Sequence, residues 1–237
     1  MSLTPSEIAA NLAAVRAKIA AAVARRGPGP EPVLIGVAKK QPAAAVIAAC
    51  QAGLTDVGEN YAQEAVAKAA EVEAVVRPRW HFIGPLQSNK ARAVVGLGAL
   101  LHTVDRPSLV AELAKEVRKH GAARPFEVLV EVNVGGEAQK AGVAPEGLPA
   151  LLDLFVDRPE LRCVGLMTIP PEGDPEQTRP HFARLRELLR RESAIVRPNV
   201  ALVHLSMGMS GDFEAAIEEG ATMVRVGTAI FGARTAA

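Results

Sequence analysis

Residues 33–41, VLIGVAKKQ, closed by Pro42, form the segment from which the fold of this chain is best argued. Five of the first six residues are apolar, and the exception is Gly36. A continuous apolar run that ends at a proline is typical of a strand buried on both faces, as in a parallel sheet. Such a strand presents Lys39 at its carboxyl end, with Lys40 beside it.

A lysine at the edge of an apolar core can become a nucleophile. Burial disfavours the charged ammonium form, and a neutral lysine amine attacks aldehydes and ketones to form a Schiff base. Taken alone, the segment favours the simpler interpretation, in which Lys39 and Lys40 are solvated residues after a strand. The other segments of the chain favour the nucleophilic lysine instead.

The composition narrows the class of protein. With 237 residues and 49% hydrophobic content the chain can bury a large core, and barrels of this length are commonly one domain. A formal net charge of +1 gives no global attraction to nucleic acid or membranes, and 3% aromatic residues give no base-stacking platform. Cys50 and Cys163 lie far apart in apolar surroundings, which favours buried thiols over a disulfide or metal site.

The N-terminal segment predicts a helix rather than a targeting sequence. Thr4 and Glu7 form a capping box around Pro5, and apolar residues follow at helical spacing. No uncharged apolar run approaches the ~20 residues that a membrane span needs. We therefore expect a cytoplasmic protein in which residues 1–26 form a helix packed on the remainder.

Strand patterns alternate with helical patterns about eight times, which predicts a parallel sheet closed into a (β/α)₈ barrel. A doubly wound open sheet is the alternative. Further strands are predicted at residues 54–60, 80–84, 100–105, 126–134, 161–169, 200–205 and 222–226, and helices at 42–53, 61–76, 89–95, 107–120, 145–155, 174–191 and 211–219. No break in composition divides the chain, so we expect a single domain over residues 1–237.

The functional side chains of such a barrel lie where its strands end, because the loops there build the active face. The predicted strand ends carry a polar ring above an apolar interior, formed by Lys39, Asn60, Gly84, Asp105, Asn133, Thr168, Ser206 and Arg225.

Two segments near the end of the chain have the features of a phosphate site. Residues 206–212 (SMGMSGD) offer two glycines, two hydroxyls and a helix N-terminus, whose N–H groups attract anions. In residues 224–232 (VRVGTAIFG), Gly227 permits close approach of a ligand and Thr228 adds an N–H and a hydroxyl. Each segment singly is explained by ordinary capping. Together, after strands seven and eight, they favour a phosphate, and we expect Asp212 to turn away from it.

The first and last strands of a closed barrel are neighbours, so Lys39 and the phosphate segments are predicted to be adjacent. A ligand with an aldehyde at one end and a phosphate at the other spans them, and pyridoxal 5′-phosphate (PLP) has both groups. A Schiff-base aldolase that acts on a phosphorylated sugar is the alternative without a cofactor.

The sequence resembles the pyridoxal phosphate homeostasis proteins over nearly its whole length. The matching segments are 37–39 (VAK) with Pro42, 58–61 (GENY), 81–90 (HFIGPLQSNK), 165–167 (GLM), 205–210 (LSMGMS) and 224–232 (VRVGTAIFG). That family is similar to the N-terminal barrel domain of alanine racemase, and the resemblance implies PLP bound as an internal aldimine to the first-strand lysine. The register after Val37 selects Lys39 rather than Lys40 for this role.

The resemblance also implies the cofactor contacts. Lys39 carries the aldimine, and the remaining contacts are Asn60, Met209, Ser210, Arg225, Gly227 and Thr228. Among them Ser210, Gly227 and Thr228 hold the phosphate, and Arg225 faces the pyridine nitrogen. Since an arginine only donates hydrogen bonds, that nitrogen stays unprotonated and the ring is a weaker electron sink.

Catalytic turnover is not the expected role. The racemase uses a tyrosine from a second domain as its opposing acid/base, whereas the only tyrosine here is Tyr61 and no second domain follows Phe231. The resemblance therefore implies buffering or delivery of PLP, with a racemase-like enzyme of low activity as the alternative. We assign no catalytic residue and no metal site.

The expected partners are PLP and the PLP-requiring apoenzymes that receive it, with no nucleic acid and no membrane. The lack of a racemase-like second domain favours a monomer. Lys90 and Lys140, near the active face, are open between anion binding and simple solvation.

Overall fold

Eight parallel strands close into a barrel in the order of the sequence, and the last strand pairs with the first. The computed structural model describes residues 3–137 and 139–232. Ile35 of the first strand lies beside Arg225 of the last, a parallel pairing that closes the barrel. The predicted (β/α)₈ barrel is therefore confirmed, and the open-sheet alternative is excluded.

Every predicted strand and helix is present. The strands are β1 Val33–Val37, β2 Asp56–Glu59, β3 Arg79–Phe82, β4 Leu100–Val104, β5 Phe126–Glu131, β6 Leu161–Met167, β7 Val200–Ser206 and β8 Met223–Val226. The α-helices of the described residues are α1 Pro5–Arg26, α2 Ala43–Gln51, α3 Ala62–Val72, α4 Ala91–Leu97, α5 Pro107–His120, α6 Leu148–Asp153, α7 Pro175–Ser193, α8 Phe213–Glu218 and α9 Thr228–Phe231. In this part of the chain, no helix combines the length and apolarity needed to cross a membrane.

Several elements are shorter than predicted, and for two of them the structure shows a local reason. β5 ends at Glu131 rather than at residue 134, because the Asn133 side chain donates to the carbonyl oxygen of Glu137 at 2.8 Å and turns the chain into a loop. α8 begins at Phe213 rather than at residue 211, because the Asp212 carboxylate binds the backbone N–H of Met209 at 2.7 Å.

Helix α1 precedes the barrel and packs on its outside. The predicted capping box is present, with the Glu7 N–H donating to Thr4 Oγ1 at 3.3 Å and the Thr4 N–H donating to Glu7 Oε2 at 2.7 Å. The apolar face of α1, including Leu12, is buried against α2, α8 and α9. The side chain of Asn11 also donates to the carbonyl oxygen of Ile230 at 3.1 Å. Helix α1 therefore covers the junction between the first and last units.

The barrel interior holds two kinds of side chain. An apolar group packs together there, formed by Ile35, Leu129, Val164, Met167 and Met223. A polar group is equally buried, with each member at most 3% exposed, and consists of Asp56, His81, His102, Ser206 and Arg225. Because buried polar groups are costly unless hydrogen-bonded, this second group needs an explanation of its own.

Candidate functional site

Lys39 lies just beyond β1, at the carboxyl end of the barrel. Its side chain is half-buried and lines a small cavity of about 30 Å³ together with Gly227 and Thr228. Lys40 is exposed and does not line this cavity, and its backbone takes a left-handed φ of 59°. The structure thus brings Lys39, rather than Lys40, together with the segment after β8.

A buried lysine on α3 holds the backbone next to Lys39. Lys68 is 6% exposed, and its Nζ donates to the carbonyl oxygen of Ala38 at 2.6 Å and to Glu59 Oε1 at 2.5 Å. It also donates to Glu64 Oε1 at 2.9 Å, which in turn accepts the backbone N–H of Lys40 at 2.6 Å. The backbone is therefore held on both sides of Lys39.

Glu59 is the buried carboxylate of this arrangement. Burial raises its pKa to about 7, although the hydrogen bond from Lys68 opposes that rise. Neither Glu59 nor Lys68 was predicted as a site residue from the sequence. The spacing of Glu64 and Lys68 on one helix face was the available signal, but such pairs are usually solvated.

The loops after β7 and β8 touch each other. The Gly227 N–H donates to Ser210 Oγ at 3.3 Å, and the Arg225 N–H donates to the carbonyl oxygen of Gly208 at 3.0 Å. Gly208 has a φ of +90°, and a Cβ there would lie 2.5 Å from the Cβ of Ala216. Only glycine satisfies this backbone at such close packing, so the loop is fixed in position.

Two further residues of the loop after β7, Met209 and Asp212, are hydrogen-bonded to each other. Met209 is 37% exposed, and its N–H is bound by the Asp212 carboxylate. Asp212 is buried and its carboxylate binds its own loop, as expected for an acid that is turned away from an anion. Since α8 starts later than predicted and is only six residues long, Ser210 lies in the loop before it, whereas Thr228 is the first residue of the short helix α9.

Arg225 lies inside the barrel, 3% exposed. Its Nη1 donates to Ser206 Oγ at 2.7 Å and its Nη2 donates to the carbonyl oxygen of Thr168 at 2.9 Å. Burial lowers its pKa to about 10, while the charges of Glu131 and Asp212 oppose that fall. At neutral pH the guanidinium therefore keeps its charge and acts only as a donor.

Glu131, at the end of β5, is a second buried acid that the sequence analysis missed. It is 6% exposed, and its pKa is raised to about 7, first by burial and then by the charge of Asp105. Because the strand ends at Glu131 and not at the predicted residue 134, Glu131 rather than Asn133 lies at its carboxyl end.

Asn60 follows β2 and packs directly against Gly84. A Cβ on Gly84 would overlap the carbonyl oxygen of Asn60, so only glycine allows this approach. The Asn60 Oδ1 atom is buried and has no hydrogen-bond partner among the described residues. Asn60 also lines a larger cavity of about 490 Å³, together with Lys90 and others.

The two lysines that the sequence left open differ in their surroundings. Lys90 is half-buried and lines the larger cavity beside Tyr61. Lys140 Nζ pairs with Glu137 Oε2 at 2.7 Å and donates to the carbonyl oxygen of Pro170 at 2.9 Å. Lys140 is therefore engaged within its own loop region.

Comparison with known proteins gives a consistent assignment. The family model described as alanine racemase, N-terminal domain, matches residues 9–235. A pyridoxal phosphate homeostasis protein of Pseudomonas aeruginosa is 49% identical over 97% of this chain and 96% of its own length. A solved structure of an unknown protein from Bifidobacterium adolescentis has 32% identity and a TM-score of 0.89, covering 96% of this chain and 95% of that one.

A second solved structure has a ligand. The structure of PipY from Synechococcus elongatus with PLP bound is 35% identical, covers 95% of this chain and 100% of PipY, and has a TM-score of 0.81. Both the family model and the curated relative span nearly all of this sequence. The chain therefore belongs to the alanine racemase N-terminal domain family and, within it, to the pyridoxal phosphate homeostasis proteins.

Proposed function

We propose that this protein binds PLP covalently through Lys39 at the carboxyl end of the barrel, and holds it for buffering or delivery in PLP homeostasis. The observation that carries the proposal is the cavity that Lys39 shares with Gly227 and Thr228. An amine and a hydroxyl-bearing glycine turn are thereby placed side by side, as an aldehyde phosphate requires. The PLP bound in the related PipY structure supports PLP as the ligand.

The residues present fit this cofactor. Hydroxyl donors for a phosphate come from Ser210 and Thr228, and the nearest carboxylate of the loop, Asp212, is occupied by the Met209 N–H. The buried Asn60 Oδ1, which has no partner among the described residues, offers an acceptor to a hydroxyl group of a ligand. We include Met209 among the contacts because it is partly exposed on the same loop.

When bound, PLP supplies an aldehyde that an amine can attack and a conjugated ring that can accept electron density. The protein contributes the Nζ of Lys39, two loops that position the phosphate, and the donor-only guanidinium of Arg225 toward the ring nitrogen. Because the pKa of Arg225 stays near 10, the guanidinium keeps its proton and leaves the ring nitrogen unprotonated. This weakens the electron-accepting power of the ring, which favours holding the cofactor over amino-acid turnover.

Delivery to PLP-requiring apoenzymes and a monomeric state belong to the same proposal. Light scattering of the purified protein with and without PLP measures its molar mass and tests whether it is a monomer. Transfer is tested by mixing the loaded protein with an apoenzyme and following the gain of the apoenzyme's activity, against free PLP at the same concentration.

The covalent attachment is tested by absorption spectra before and after borohydride, on the wild type, Lys39→Ala and the matched control Lys40→Ala. We expect a visible band in the wild type and in Lys40→Ala, its loss in Lys39→Ala, and bleaching that leaves the cofactor on the peptide containing Lys39. No band after incubation with PLP contradicts the proposal and favours a sugar-phosphate aldolase. Amino-acid turnover that disappears in Lys39→Ala favours the racemase-like enzyme instead.

A further inference from the structure

Five buried side chains form a continuous series of hydrogen bonds across the barrel interior. From β8 it runs from Arg225 Nη1 to Ser206 Oγ at 2.7 Å, and from Ser206 Oγ to His102 Nδ1 at 2.9 Å. It continues from His102 Nε2 to His81 Nδ1 at 2.9 Å, and from His81 Nε2 to Asp56 Oδ1 at 2.9 Å, where β2 begins. We call these five residues the barrel chain.

The carboxylate end of the barrel chain sets the direction of its hydrogen bonds when each histidine carries a single proton. Arg225 can only donate and an ionised Asp56 can only accept, whereas the three groups between them can do both. Ser206 therefore accepts from Arg225 and donates to His102 Nδ1. His102 then carries its proton on Nε2 and donates to His81 Nδ1, and His81 carries its proton on Nε2 and donates to Asp56.

The opposite order has a physical cost. If His102 donated to Ser206 and accepted from His81, then His81 would need protons on both nitrogens, or Asp56 would need to be protonated. His102 is neutral in either order, in keeping with a pKa that burial holds well below its ordinary value. The opposite order instead adds a positive charge to the fully buried His81 side chain or a proton to Asp56. Burial also tends to raise the pKa of Asp56, but the hydrogen bonds from His81 and Thr55 outweigh it and the pKa is lowered.

The barrel chain links the buried cation of Arg225 to the carboxylate of Asp56, although these two side chains are not in direct contact. The hydrogen-bond partners of the Arg225 guanidinium are the Ser206 hydroxyl and the Thr168 carbonyl, both neutral. Asp56 is also 3.4 Å from the exposed Arg79 and accepts from Thr55 Oγ1 at 2.6 Å. Hydrogen bonds arranged in one direction polarise each other. The negative charge of Asp56 therefore strengthens the hydrogen bonds of the series up to the one that Arg225 donates.

We propose that Asp56, His81, His102 and Ser206 are positioning residues, which orient the Arg225 guanidinium as a donor toward the ring nitrogen of bound PLP. The part that concerns PLP rests on the proposed function. The order of protons, by contrast, belongs to the protein alone and is measurable without any ligand.

The proton order is tested on the cofactor-free wild type by NMR with ¹⁵N-labelled histidine. We expect both His81 and His102 to be neutral with the proton on Nε2. His204 lies on the same strand as Ser206, half-buried, and is not a member of the barrel chain, so its signals serve as the internal reference. A doubly protonated His81, or a proton on Nδ1 of His102, overturns the inferred direction.

The link to the cofactor is tested with Ser206→Ala and Asp56→Asn, and with His204→Gln as the matched control. Ser206→Ala interrupts the barrel chain next to Arg225, and Asp56→Asn keeps an acceptor oxygen but removes the charge. We expect Ser206→Ala to weaken PLP binding by roughly tenfold to a hundredfold, the range for one hydrogen bond to a charged group, and to shift the cofactor's visible absorption maximum. We expect a smaller shift in the same direction for Asp56→Asn, and the wild-type spectrum for His204→Gln.

The outcomes separate the two proposals. If both variants bind PLP with wild-type affinity and spectrum, the barrel chain is purely structural and the positioning role is wrong, whatever happens to stability. If the wild type itself binds no PLP, the proposed function fails, and the positioning role fails with it. The histidine spectra then still decide whether the proton order is correct.

Discussion

The Nζ atom of Lys68 lies 2.6 Å from the carbonyl oxygen of Ala38, the residue immediately before Lys39. Lysine is rarely buried, and here its charge is balanced by Glu59 at 2.5 Å. The contact joins α3 to the end of β1, so a side chain outside the cavity determines where the Lys39 backbone lies.

Lys68→Met is expected to lower the free energy of unfolding by about 3–5 kcal/mol at pH 8, because it leaves the Glu59 carboxylate buried without its partner. The loss is expected to be smaller at pH 5, since Glu59, with a pKa of about 7, then takes up a proton. Urea unfolding at the two pH values measures both. Lys115→Met, which breaks the exposed pair with Glu112, is the control and should change stability by less than about 0.5 kcal/mol. Equal losses at pH 8 and pH 5 would contradict this account of Glu59.

Gly84→Ala is expected to destabilise the protein by about 1–3 kcal/mol, because the new Cβ overlaps the carbonyl oxygen of Asn60 and backbone must move. PLP binding should weaken as Asn60 is displaced. Gly96→Ala is the matched control, since a Cβ there meets nothing within 4 Å and the position lies within α4. This control should gain roughly 0.5–1 kcal/mol in thermal unfolding experiments. A neutral Gly84→Ala would show that the contact is easily relieved.

Glu131→Gln is expected to become relatively more stable as the pH rises. Burial raises the pKa of Glu131 from 4.5 to about 7, so the folded state binds this proton more tightly than the unfolded state does. The stabilisation is fully present below pH 4.5 and is lost as the pH rises through 7, whereas glutamine does not titrate. Between pH 4 and pH 8 the difference in unfolding free energy should move toward the variant by on the order of 3 kcal/mol.

Urea unfolding of the wild type and Glu131→Gln across this range gives the comparison. Glu127→Gln, at an exposed position of the same strand, controls for the loss of one carboxylate. If the difference between Glu131→Gln and the wild type does not change with pH, Glu131 is not the titrating group.

Leu12→Ala is expected to cost about 2–5 kcal/mol, because Leu12 is 1% exposed and packs between α1 and the barrel. Lys18→Ala, on the exposed face of the same helix, should change stability by less than about 0.5 kcal/mol. A single cooperative unfolding transition in both variants is expected if residues 1–26 and the barrel form one domain. A separate low-temperature transition in Leu12→Ala would indicate that α1 unfolds independently.

The barrel could be predicted from the sequence because its strands are short apolar runs and its helices have clear starts, such as the capping box at Thr4. The placement of Lys39 beside Gly227 also followed, since closure makes the first and last strands neighbours. Both inferences depend on patterns that are local in sequence combined with one rule of topology.

The buried polar contacts could not be predicted in this way. Glu64 and Lys68 look like an ordinary solvated pair on a helix, and only the folded chain brings them to Glu59 and the Ala38 carbonyl. His81 and His102 belong to different strands, and their partnership depends on which residues of each strand point inward. No sequence spacing encodes such contacts, because they arise from the register between strands.

The pairing of β8 with β1 has a consequence for folding. Lys39 follows the first strand and Thr228 follows the last, so the small cavity between them forms only when the two ends of the barrel meet. Contacts between such distant segments carry a large loop-closure cost and tend to form slowly. A nascent chain halted before β8 would therefore contain every earlier strand yet have no place for the ligand. Uptake of a ligand that bridges these segments would report that β8 has been made and has paired with β1. A ligand that binds only the closed barrel would also stabilise that pairing.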